Sequence, residues 1–455
     1  MKSHWTKDSI FYHIYPLGFC DAPKRNDFAS APVPRLEKIH EWIGHMRELQ
    51  VNALYLGPVF ESTAHGYDTA DYFRVDRRLG ANETLVRLIK ELHRNGIKVI
   101  LDGVFNHIGR DFPPFRDLQK NGEGSVYRNW FQGVDFNVRS PLGDPFGYEG
   151  WSGNYDLVKL NLNSAEVKEH LFHAVRGWIQ EFEIDGLRLD VADSLEPQFI
   201  RELSAFCKSL RPDFWLMGEV VHGDYNKWAN PAMLDSVTNY ECYKGLYSSL
   251  VDKNYFEIAH SLQRQFGPEG IYRTINLYNF ADNHDVDRVA SSLTNPRHLY
   301  PLYLLLFTMP GIPSIYYGSE WGLVGTRTEK DDHALRPSLD LNQLRSASPQ
   351  PDLPSAIARF GRVCLNTPAL RTGEYTELFV AAEQFAFSRH TEDDMAVVMV
   401  NAASTNVSLD IPVRLPNNTR LVDLLNPGDE FHVENNRLSV AKVWPCWGRI
   451  LQIKK

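Results

Sequence analysis

Strand-like and helix-like segments alternate along most of the chain. Eight short apolar runs of strand type, separated by segments with helical spacing, follow one another over about 360 residues. In chain order the runs are SIFYHIYPLGF, VNALYLGPVF, IKVILD, IDGLRLDVAD, FWLMGE, MLDSVTNYE, NLYNFADNHD and IPSIYYG. This repeat predicts a closed (β/α)8 TIM barrel. Several runs end in acids and histidines, which predicts a site at the carboxyl ends of the strands. A doubly wound sheet is the competing arrangement, but no GxGxxG follows any run.

Helix-like segments separate the runs. After Pro34, apolar residues recur at helical spacing, and Asn82 is predicted to cap the next helix, which Gly96 ends. Further helices are predicted at about 167–182, from Pro197 onward, and at about 254–265 and 299–309.

The alternation is interrupted once and then replaced by a different pattern. Residues 107–164 are rich in Gly, Pro, Asp, Asn and aromatics, which predicts an inserted, loop-rich subdomain. From about Tyr375 the apolar residues alternate with period two, which predicts a small C-terminal all-β sandwich. We therefore predict a catalytic barrel over 1–106 and 165–370, the insertion over 107–164, and the C-terminal domain over 371–455.

Composition limits the partners of the chain. The formal net charge is −9, and no long basic cluster is present, which argues against nucleic acid and anionic membrane surfaces as ligands. Ten Trp, 20 Tyr and 25 Phe offer many flat apolar faces, such as sugar rings use. Most of these aromatics are expected in the core, so they favour a neutral sugar ligand only together with other signals.

Cysteine usage and the start of the chain bear on the compartment. The five cysteines are scattered without CxxC spacing, so neither a disulfide framework nor a zinc site is expected. No apolar run approaches the length of a membrane span, and the first residues show no signal-type apolar stretch. These features predict a cytoplasmic protein.

Three of the strand-like runs deliver an acid to their ends: Asp190, Glu219 and Asp285. Arg188 stands two residues before Asp190, so both side chains lie on one face of the strand, and Arg188 is expected to hold Asp190 ionised and oriented. The alternative is a buried Arg/Asp pair that only keeps a strand in register. The other two acids favour a single catalytic face.

Two acids with different environments suit the hydrolysis of a glycosidic bond. That reaction needs one ionised and one protonated carboxyl, and a separation of about 5 Å selects the retaining route. Asp190, beside Arg188, is expected to stay ionised. Glu219 follows the apolar run Trp215–Gly218, which would raise its pKa and suit it to general acid catalysis; a solvated strand-end acid is the alternative.

Short motifs in the chain resemble those of a known family. Four of them look like the signature segments of the α-amylase superfamily, glycoside hydrolase family 13, in their usual order: DGVFNH at 102–107, GLRLD at 186–190, GEV at 218–220 and NHD at 283–285. Supporting matches are HGYDTADY at 65–72, GIPSIYYG at 311–318, and LVKLN at 157–161, which resembles a segment of the neopullulanase and cyclomaltodextrinase subgroup.

The resemblance implies a retaining α-glucan enzyme and assigns a role to each matching residue. Asp190 matches the nucleophile, Glu219 the general acid/base and Asp285 the transition-state stabiliser. By the same matching, His107 and His284 would hydrogen-bond the sugar, Arg188 would orient Asp190, Tyr67 would stack on the sugar ring, and Asp102 and Asn106 occupy supporting positions.

The resemblance also implies a substrate class. It points to α-1,4 bonds of short linear or cyclic maltooligosaccharides, such as cyclodextrins, and Val191 occurs in members that also accept α-1,6 bonds. A glucanotransferase would use the same site, because the acid/base activates either acceptor. The alternative of another class is a non-catalytic barrel that binds glucans or a partner; it predicts the loss of a carboxylate, and all three are present.

Some segments depart from the subgroup. Its members usually carry an N-terminal β-domain that builds a dimer, whereas this chain is expected to enter the barrel within about ten residues, so monomer and homodimer both stay open. Val221 and His222 stand where the subgroup has an aromatic, and Asp193-Ser194 stand where it often has Asn-Glu, so acceptor-side specificity is expected to differ. Trp228 is either an acceptor-side platform or a packed loop anchor.

Calcium is the one metal for which residues can be named, and no cofactor is expected to be required. Asp21, Asn26 and Asp27 lie in the loop after the first strand, where relatives often bind calcium through Asn and Asp oxygens. The match is partial, and an acidic solvated turn is the competing interpretation.

Overall fold

The barrel is closed by eight parallel strands. The computed structural model describes residues 5–328 and 332–454. The barrel strands are β1 (Phe11–Ile14), β2 (Ala53–Leu56), β3 (Lys98–Gly103), β4 (Gly186–Leu189), β5 (Trp215–Gly218), β6 (Ser236–Val237), β7 (Tyr278–Phe280) and β8 (Ile312–Tyr316). Neighbours along the chain pair in parallel, β8 pairs with β1 at Phe11 and Ser314, and a bridge between Thr238 and Tyr278 joins β6 to β7. The predicted barrel is confirmed, and each strand falls inside one of the eight predicted runs, except that β3 extends one residue beyond its run, to Gly103.

The strands are buried on both faces, which explains their continuous apolar runs. Residues on one face form a cluster inside the barrel, including Phe11, Ile100, Trp215 and Tyr278. Residues on the other face, such as Leu54, join the main core. Every residue of β1, β2, β4, β5 and β8 is buried.

Helices connect and surround the strands. They are α1 (Pro16–Phe19), α2 (Ile43–Glu48), α3 (Asn82–Arg94), α4 (Pro113–Asn121), α5 (Ala165–Glu181), α6 (Pro197–Leu210), α7 (Tyr240–Val251), α8 (Phe256–Phe266), α9 (Val289–Ser292), α10 (Leu299–Thr308), α11 (Leu341–Ala347), α12 (Leu353–Asn366) and α13 (Pro368–Thr372). In the described part of the chain, no helix has both the length and the apolar composition needed to cross a membrane. The cytoplasmic location and the choice between monomer and homodimer stay predictions.

The cap of α3 differs from the prediction. The N-cap residue is Ala81, and Asn82 is the first helical residue. The Asn82 side chain instead accepts a hydrogen bond from Val75 N at 2.9 Å and donates to Phe73 O at 3.1 Å. The prediction that Asn82 caps this helix is therefore wrong, because its amide joins the helix to the strand Thr69–Val75, which lies outside the barrel.

The insertion after β3 has its own small sheet and core. Strand His107–Gly109 pairs with Asn154–Lys159, which pairs with Gly150–Trp151. Helix α4 packs Phe115 against Phe131, and the rings lie 5.2 Å apart. Because this sheet begins at His107, the insertion is built directly onto the predicted site.

The C-terminal domain is one antiparallel sheet whose two ends approach each other. Its strands are β9 (Glu374–Val380), β10 (Gln384–His390), β11 (Met395–Asn401), β12 (Val407–Pro412), β13 (Arg420–Asp423), β14 (Glu430–Glu434), β15 (Arg437–Val443) and β16 (Trp447–Ile453). They are hydrogen-bonded in the order β9-β10-β11-β16-β13-β14-β15-β12. The terminal strands β9 and β12 contact each other, and residues from both halves, such as Met399 and Leu409, share one apolar core.

Helix α10 joins the barrel to this domain. All its residues except Tyr300 are buried, and it packs on α12 and on strands β11 and β16. Gly448 on β16 lies against Leu304 of α10, and a Cβ at position 448 would clash with Leu304 Cδ2 and with the carbonyl oxygen of Met399. This glycine allows the sheet and the helix to approach closely.

We predict that Gly448→Ala lowers the free energy of unfolding by about 1–3 kcal/mol, because overpacking forces the sheet away from the helix. Urea denaturation followed by circular dichroism measures the change. Gly124→Ala is the matched control, since a Cβ there meets no atom within 4 Å. Equal stability of the two variants would contradict the described packing.

Candidate active site

Three acids meet at the carboxyl end of the barrel. Asp190 follows the last residue of β4, Glu219 follows the last residue of β5, and Asp285 stands five residues after β7. All three line one cleft of about 1330 Å³. The parallel strands thus bring together acids that are as much as 95 positions apart in the sequence, and this is the grouping that the strand ends predict.

Arg188 is the cation that these acids share. Its Nη1 donates to Asp190 Oδ1 at 2.9 Å and to Asp102 Oδ1 at 2.9 Å. Its Nη2 lies 2.8 Å from Glu219 Oε2. One buried guanidinium therefore serves three carboxylates, and the predicted contact with Asp190 is present.

The charge balance at Asp190 differs from the prediction. Burial raises the pKa of Asp190 well above its ordinary value; Arg188 opposes this shift, and the nearby charges of Glu219, Asp102 and Asp285 add to it. Arg188 thus acts in the predicted direction, by lowering the pKa of Asp190, but burial and the neighbouring acids outweigh it. The sequence shows the pair but not the two further carboxylates among which Arg188 divides its charge.

Glu219 has a more polar environment than its apolar strand suggests. Besides Arg188, its Oε2 accepts a hydrogen bond from Val191 N at 3.1 Å, and Tyr240 OH lies 3.4 Å from its Oε1. Val191 adopts φ of 40°, which is strained for a β-branched residue. This backbone turn directs the amide after Asp190 toward Glu219.

Asp285 is held by a separate set of cations. His284 Nε2 lies 3.0 Å from Asp285 Oδ2, and Arg336 Nη2 donates to Asp285 Oδ1 at 3.0 Å. Although burial acts to raise the pKa of Asp285, His284, Arg336 and Arg188 outweigh it and lower that pKa well below its ordinary value. The pKa of Asp285 therefore shifts in the opposite direction to that of Asp190.

His107 faces Asp190 from the insertion. Its Nε2 lies 3.8 Å from Asp190 Oδ2, and within residues 5–328 and 332–454 this buried nitrogen has no hydrogen-bond partner. Its Nδ1 contacts Asn106 Nδ2 at 3.1 Å. Burial lowers the pKa of His107 to about 3, so the ring is neutral. A neutral, unpartnered nitrogen on the cleft wall suits contact with an uncharged ligand.

The remaining predicted sugar-binding residues divide into two groups. Tyr67 lines the cleft with its ring parallel to that of His284 at 5.4 Å, and its hydroxyl donates to Asp102 Oδ2 at 3.0 Å. Asp102, Arg188 and His284 are buried behind the cleft wall. Asp102 also accepts from Tyr55 OH at 2.8 Å, so it fixes Tyr67 and Arg188 instead of facing a ligand.

Trp228 does not line the cleft among the described residues. Its ring is half-buried and packs against the main core, and its carbonyl accepts a hydrogen bond from Leu234 N at 3.0 Å. The position of Trp228 fits a packed loop anchor and does not fit an acceptor-side platform. Of the four positions that depart from the subgroup, Asp193, Ser194 and Val221 line the cleft, whereas His222 is not among the described residues that line it.

Several cleft residues were not singled out by the sequence. Tyr240 is the last residue but one of the predicted sixth run and could have been found there. Trp151, with its ring 5.5 Å from that of His107, lies in the insertion, where no periodic pattern marks it. Arg336 belongs to no motif and reaches Asp285 across 51 positions.

The predicted calcium residues do not form a cation site. Asn26 Nδ2 donates to Ser62 O at 3.1 Å, and its Oδ1 accepts from Phe28 N at 2.9 Å. Asp27 Oδ1 accepts from Ala29 N and Ser30 N, each at 2.9 Å. Asp21 lies on the cleft wall instead. No cluster of three His, Cys, Asp or Glu side chains that could hold a metal exists in the described part of the chain. Calcium stays a prediction that this arrangement does not favour.

Comparison with known proteins gives one family. Residues 13–343 match the family model described as the alpha-amylase catalytic domain. A cyclomaltodextrinase from a Bacillus species is 34% identical over 87% of this chain and 73% of its own length. A maltogenic alpha-amylase from Bacillus acidopullulyticus is 31% identical over 89% of this chain and 71% of its own length. The structure of a cyclic alpha-maltosyl-(1→6)-maltose hydrolase from Arthrobacter globiformis, in complex with cyclic alpha-maltosyl-(1→6)-maltose, is 28% identical with a TM-score of 0.82, covering 98% of this chain and 99% of that one.

The raised pKa of Asp190 predicts a pH-dependent effect of Asp190→Asn on stability. An acid whose pKa is raised by folding contributes stability that falls as pH rises from its ordinary value of 3.8 through the raised pKa. Asparagine does not titrate and can still accept from Arg188. We expect the variant to melt roughly 2–4 °C above the native chain near neutral pH, with the gain shrinking toward pH 4.

Differential scanning calorimetry over this pH range measures the effect. Asp252→Asn, at an exposed position, is the control and should give no such trend. A gain that does not depend on pH, or a loss at neutral pH, would contradict the charge balance described for Asp190.

Proposed function

The chain belongs to the α-amylase family, glycoside hydrolase family 13, in its cyclomaltodextrinase-like subgroup, and from that premise we propose a retaining hydrolase of short maltooligosaccharides. It cleaves α-1,4 glucosidic bonds, and α-1,6 bonds as well, in linear or cyclic substrates. Asp190 is the nucleophile, Glu219 the general acid and base, and Asp285 the residue that stabilises the transition state.

One observation carries this proposal. The carboxylates of Asp190 and Glu219 contact the two terminal nitrogens of the single Arg188 guanidinium, at 2.9 and 2.8 Å, and both open onto the same cleft. Two carboxyls held this closely can work on a single glycosidic bond, one from the side of the anomeric carbon and one from the side of the leaving oxygen.

The reaction takes two steps on these residues. Glu219 gives its proton to the glycosidic oxygen while Asp190 attacks the anomeric carbon, so the glycosidic bond breaks and a glycosyl ester of Asp190 forms. Glu219, now ionised, takes a proton from water, and the water oxygen attacks the same carbon and releases Asp190. Asp285, kept ionised, hydrogen-bonds the sugar hydroxyls and favours the distorted ring of the transition state.

The charge state of the ligand-free site supports this sequence. The chemistry needs one proton on the pair formed by Asp190 and Glu219. Because Arg188 is shared with Asp102, it does not neutralise both members of the pair, and burial favours a proton on Asp190. We infer that substrate binding transfers the proton toward the leaving oxygen through Glu219.

The substrate class rests on similarity and on the shape of the cleft. Relatives carry the names cyclomaltodextrinase and maltogenic alpha-amylase, and a neighbour aligned over nearly its whole length is a cyclic alpha-maltosyl-(1→6)-maltose hydrolase. The insertion places Trp151 over His107 at the cleft wall. An aromatic ring at the cleft wall can pack on the apolar face of a sugar ring.

We predict that an activated donor separates the two catalytic roles. With maltotetraose, Asp190→Asn loses on the order of 10⁴-fold or more in kcat, and Glu219→Gln loses about 10²–10⁴-fold. With α-maltosyl fluoride, Glu219→Gln should form the glycosyl ester almost normally, because fluoride leaves without protonation. Asp190→Asn should remain inactive on both donors.

Rapid quenching followed by mass spectrometry of peptides detects the ester, which is expected on Asp190 of the Glu219→Gln variant. Asp252→Asn is the matched acid-to-amide control. An Asp190→Asn variant that keeps most of its activity on maltotetraose would exclude the proposed mechanism, as would an ester on another residue.

The substrate proposal predicts a product profile. Incubated separately with maltotetraose, β-cyclodextrin, pullulan and soluble starch, the enzyme should attack the small and cyclic substrates rapidly and starch slowly. Chromatography of the products measures this. Products longer than the substrate would identify a glucanotransferase instead, and rapid shortening of starch with β-cyclodextrin intact would exclude the preference for short and cyclic substrates.

A further inference from the structure

Arg336 reaches the catalytic centre from a segment that carries none of the matching motifs. It lies in the chain between β8 and α11, and only 12% of its side chain is exposed. Its Nη2 donates to Asp285 Oδ1 at 3.0 Å, and its Nε donates to the carbonyl oxygen of His284 at 3.0 Å. The guanidinium thus hydrogen-bonds both the side chain of Asp285 and the backbone carbonyl of the residue before it.

The place of Arg336 is itself fixed from several sides. Its guanidinium lies 4.6 Å from the centre of the Tyr15 ring, and Tyr15 OH donates to His65 O at 2.6 Å. Asp332 Oδ2 lies 3.2 Å from Arg336 Nη2. A Cβ at position 18 would clash with the carbonyl oxygen of Arg336, so Gly18 is what permits the backbone at 336 to come this close.

Asp285 needs this support more than the other two acids do. Asp190 directly follows strand β4 and Glu219 directly follows strand β5, and both residues are buried. Asp285 stands five residues beyond β7, and 35% of its side chain is exposed. A loop residue with this exposure has several rotamers open to it unless both carboxylate oxygens are held.

We propose that Arg336 is a positioning residue for Asp285: with His284 on the other oxygen, it fixes the carboxylate in the orientation that meets the sugar in the transition state. The inference rests on the proposed role of Asp285. It makes the end of the β8 segment part of the catalytic apparatus, although Arg336 does not touch the reacting atoms.

Substitution of Arg336 should show this role in kinetics. Arg336→Met is expected to lower kcat about 10- to 100-fold with little change in KM, because the lost orientation matters in the transition state. Arg336→Lys should recover part of the loss, since an ammonium can hold Asp285 or the His284 carbonyl but not both in this geometry. Gly18→Ala, which displaces the backbone at 336 and keeps the arginine, should show the same pattern at smaller size.

A double-mutant cycle separates positioning from a general structural effect. In the Asp285→Asn background, Arg336→Met should cost less than about 3-fold in kcat, because the group it positions is already impaired. Arg345→Met is the matched control; Arg345 pairs with Glu48 at 3.4 Å on the surface and should leave kcat unchanged. Melting temperatures of all variants show whether each is folded at the assay temperature.

The pH profile gives a second readout. The groups that face Asp285 are His284 on its own segment, and Arg336, Asp332, Arg188, Asp190, Tyr67, Tyr240 and His13 from the elements around it. Removing Arg336 takes one positive charge away from the acids that line the cleft, so the acid limb of kcat/KM, which the least acidic of the essential carboxylates sets, should move to higher pH in Arg336→Met, by less than about one pH unit. Arg345→Met should keep the native profile.

The outcomes distinguish the two proposals. An active Asp285→Asn variant would overturn the proposed function, and with it the premise of this inference. An Asp285→Asn variant with strongly reduced but measurable kcat, together with fully additive losses in the cycle, would overturn the role of Arg336 alone, as would an Arg336→Met variant with native kcat. Non-additive losses with the shifted acid limb are the expected result.

Discussion

The site depends on one buried cation, Arg188, which is shared by three carboxylates and cannot neutralise all of them. Arg188 contacts Asp102, Asp190 and Glu219 at 2.8–3.1 Å, and no substitution by lysine could serve three partners in this geometry. Complete neutralisation would leave both catalytic acids permanently ionised. Because positive charge is insufficient, the group of acids can retain a proton. Acid/base catalysis at a glycosidic bond needs one protonated carboxyl.

The third acid is held by the opposite arrangement. Asp285 has Arg336 on one oxygen and His284 on the other, so its pKa falls while that of Asp190 rises. The pKa values of Asp190 and Asp285 therefore shift in opposite directions, because positive charge is distributed unevenly in the cleft. In the proposed reaction, Asp285 must stay ionised to stabilise positive charge in the transition state, whereas Asp190 and Glu219 must carry one proton between them.

The sequence predicted what local pattern determines. Eight apolar runs were sufficient to predict the barrel, because strands that are buried on both faces appear in the sequence as nearly continuous apolar runs. The three acids could be placed because parallel strands end on one face. Asn82 shows the limit: its chemistry suits a cap, but a neighbouring strand offered its amide other partners. Trp228 and the charge state of Asp190 were equally beyond reach, since both follow from residues brought close only by the fold.

Distance along the chain explains which parts of the site were predictable and which were not. Arg188 is two residues from Asp190, so the strand itself sets their relation, and the pair can be read from the sequence. Arg336 is 51 residues from Asp285, and its place depends on Tyr15 and Gly18 in a distant segment and on Asp332, four residues before it. The proposed nucleophile and acid thus follow directly after barrel strands, whereas Asp285, the residue proposed to meet the sugar hydroxyls, is fixed through loops. Changes in those loops can alter how the sugar is held without disturbing the pair that breaks the bond, because the barrel strands carry that pair independently.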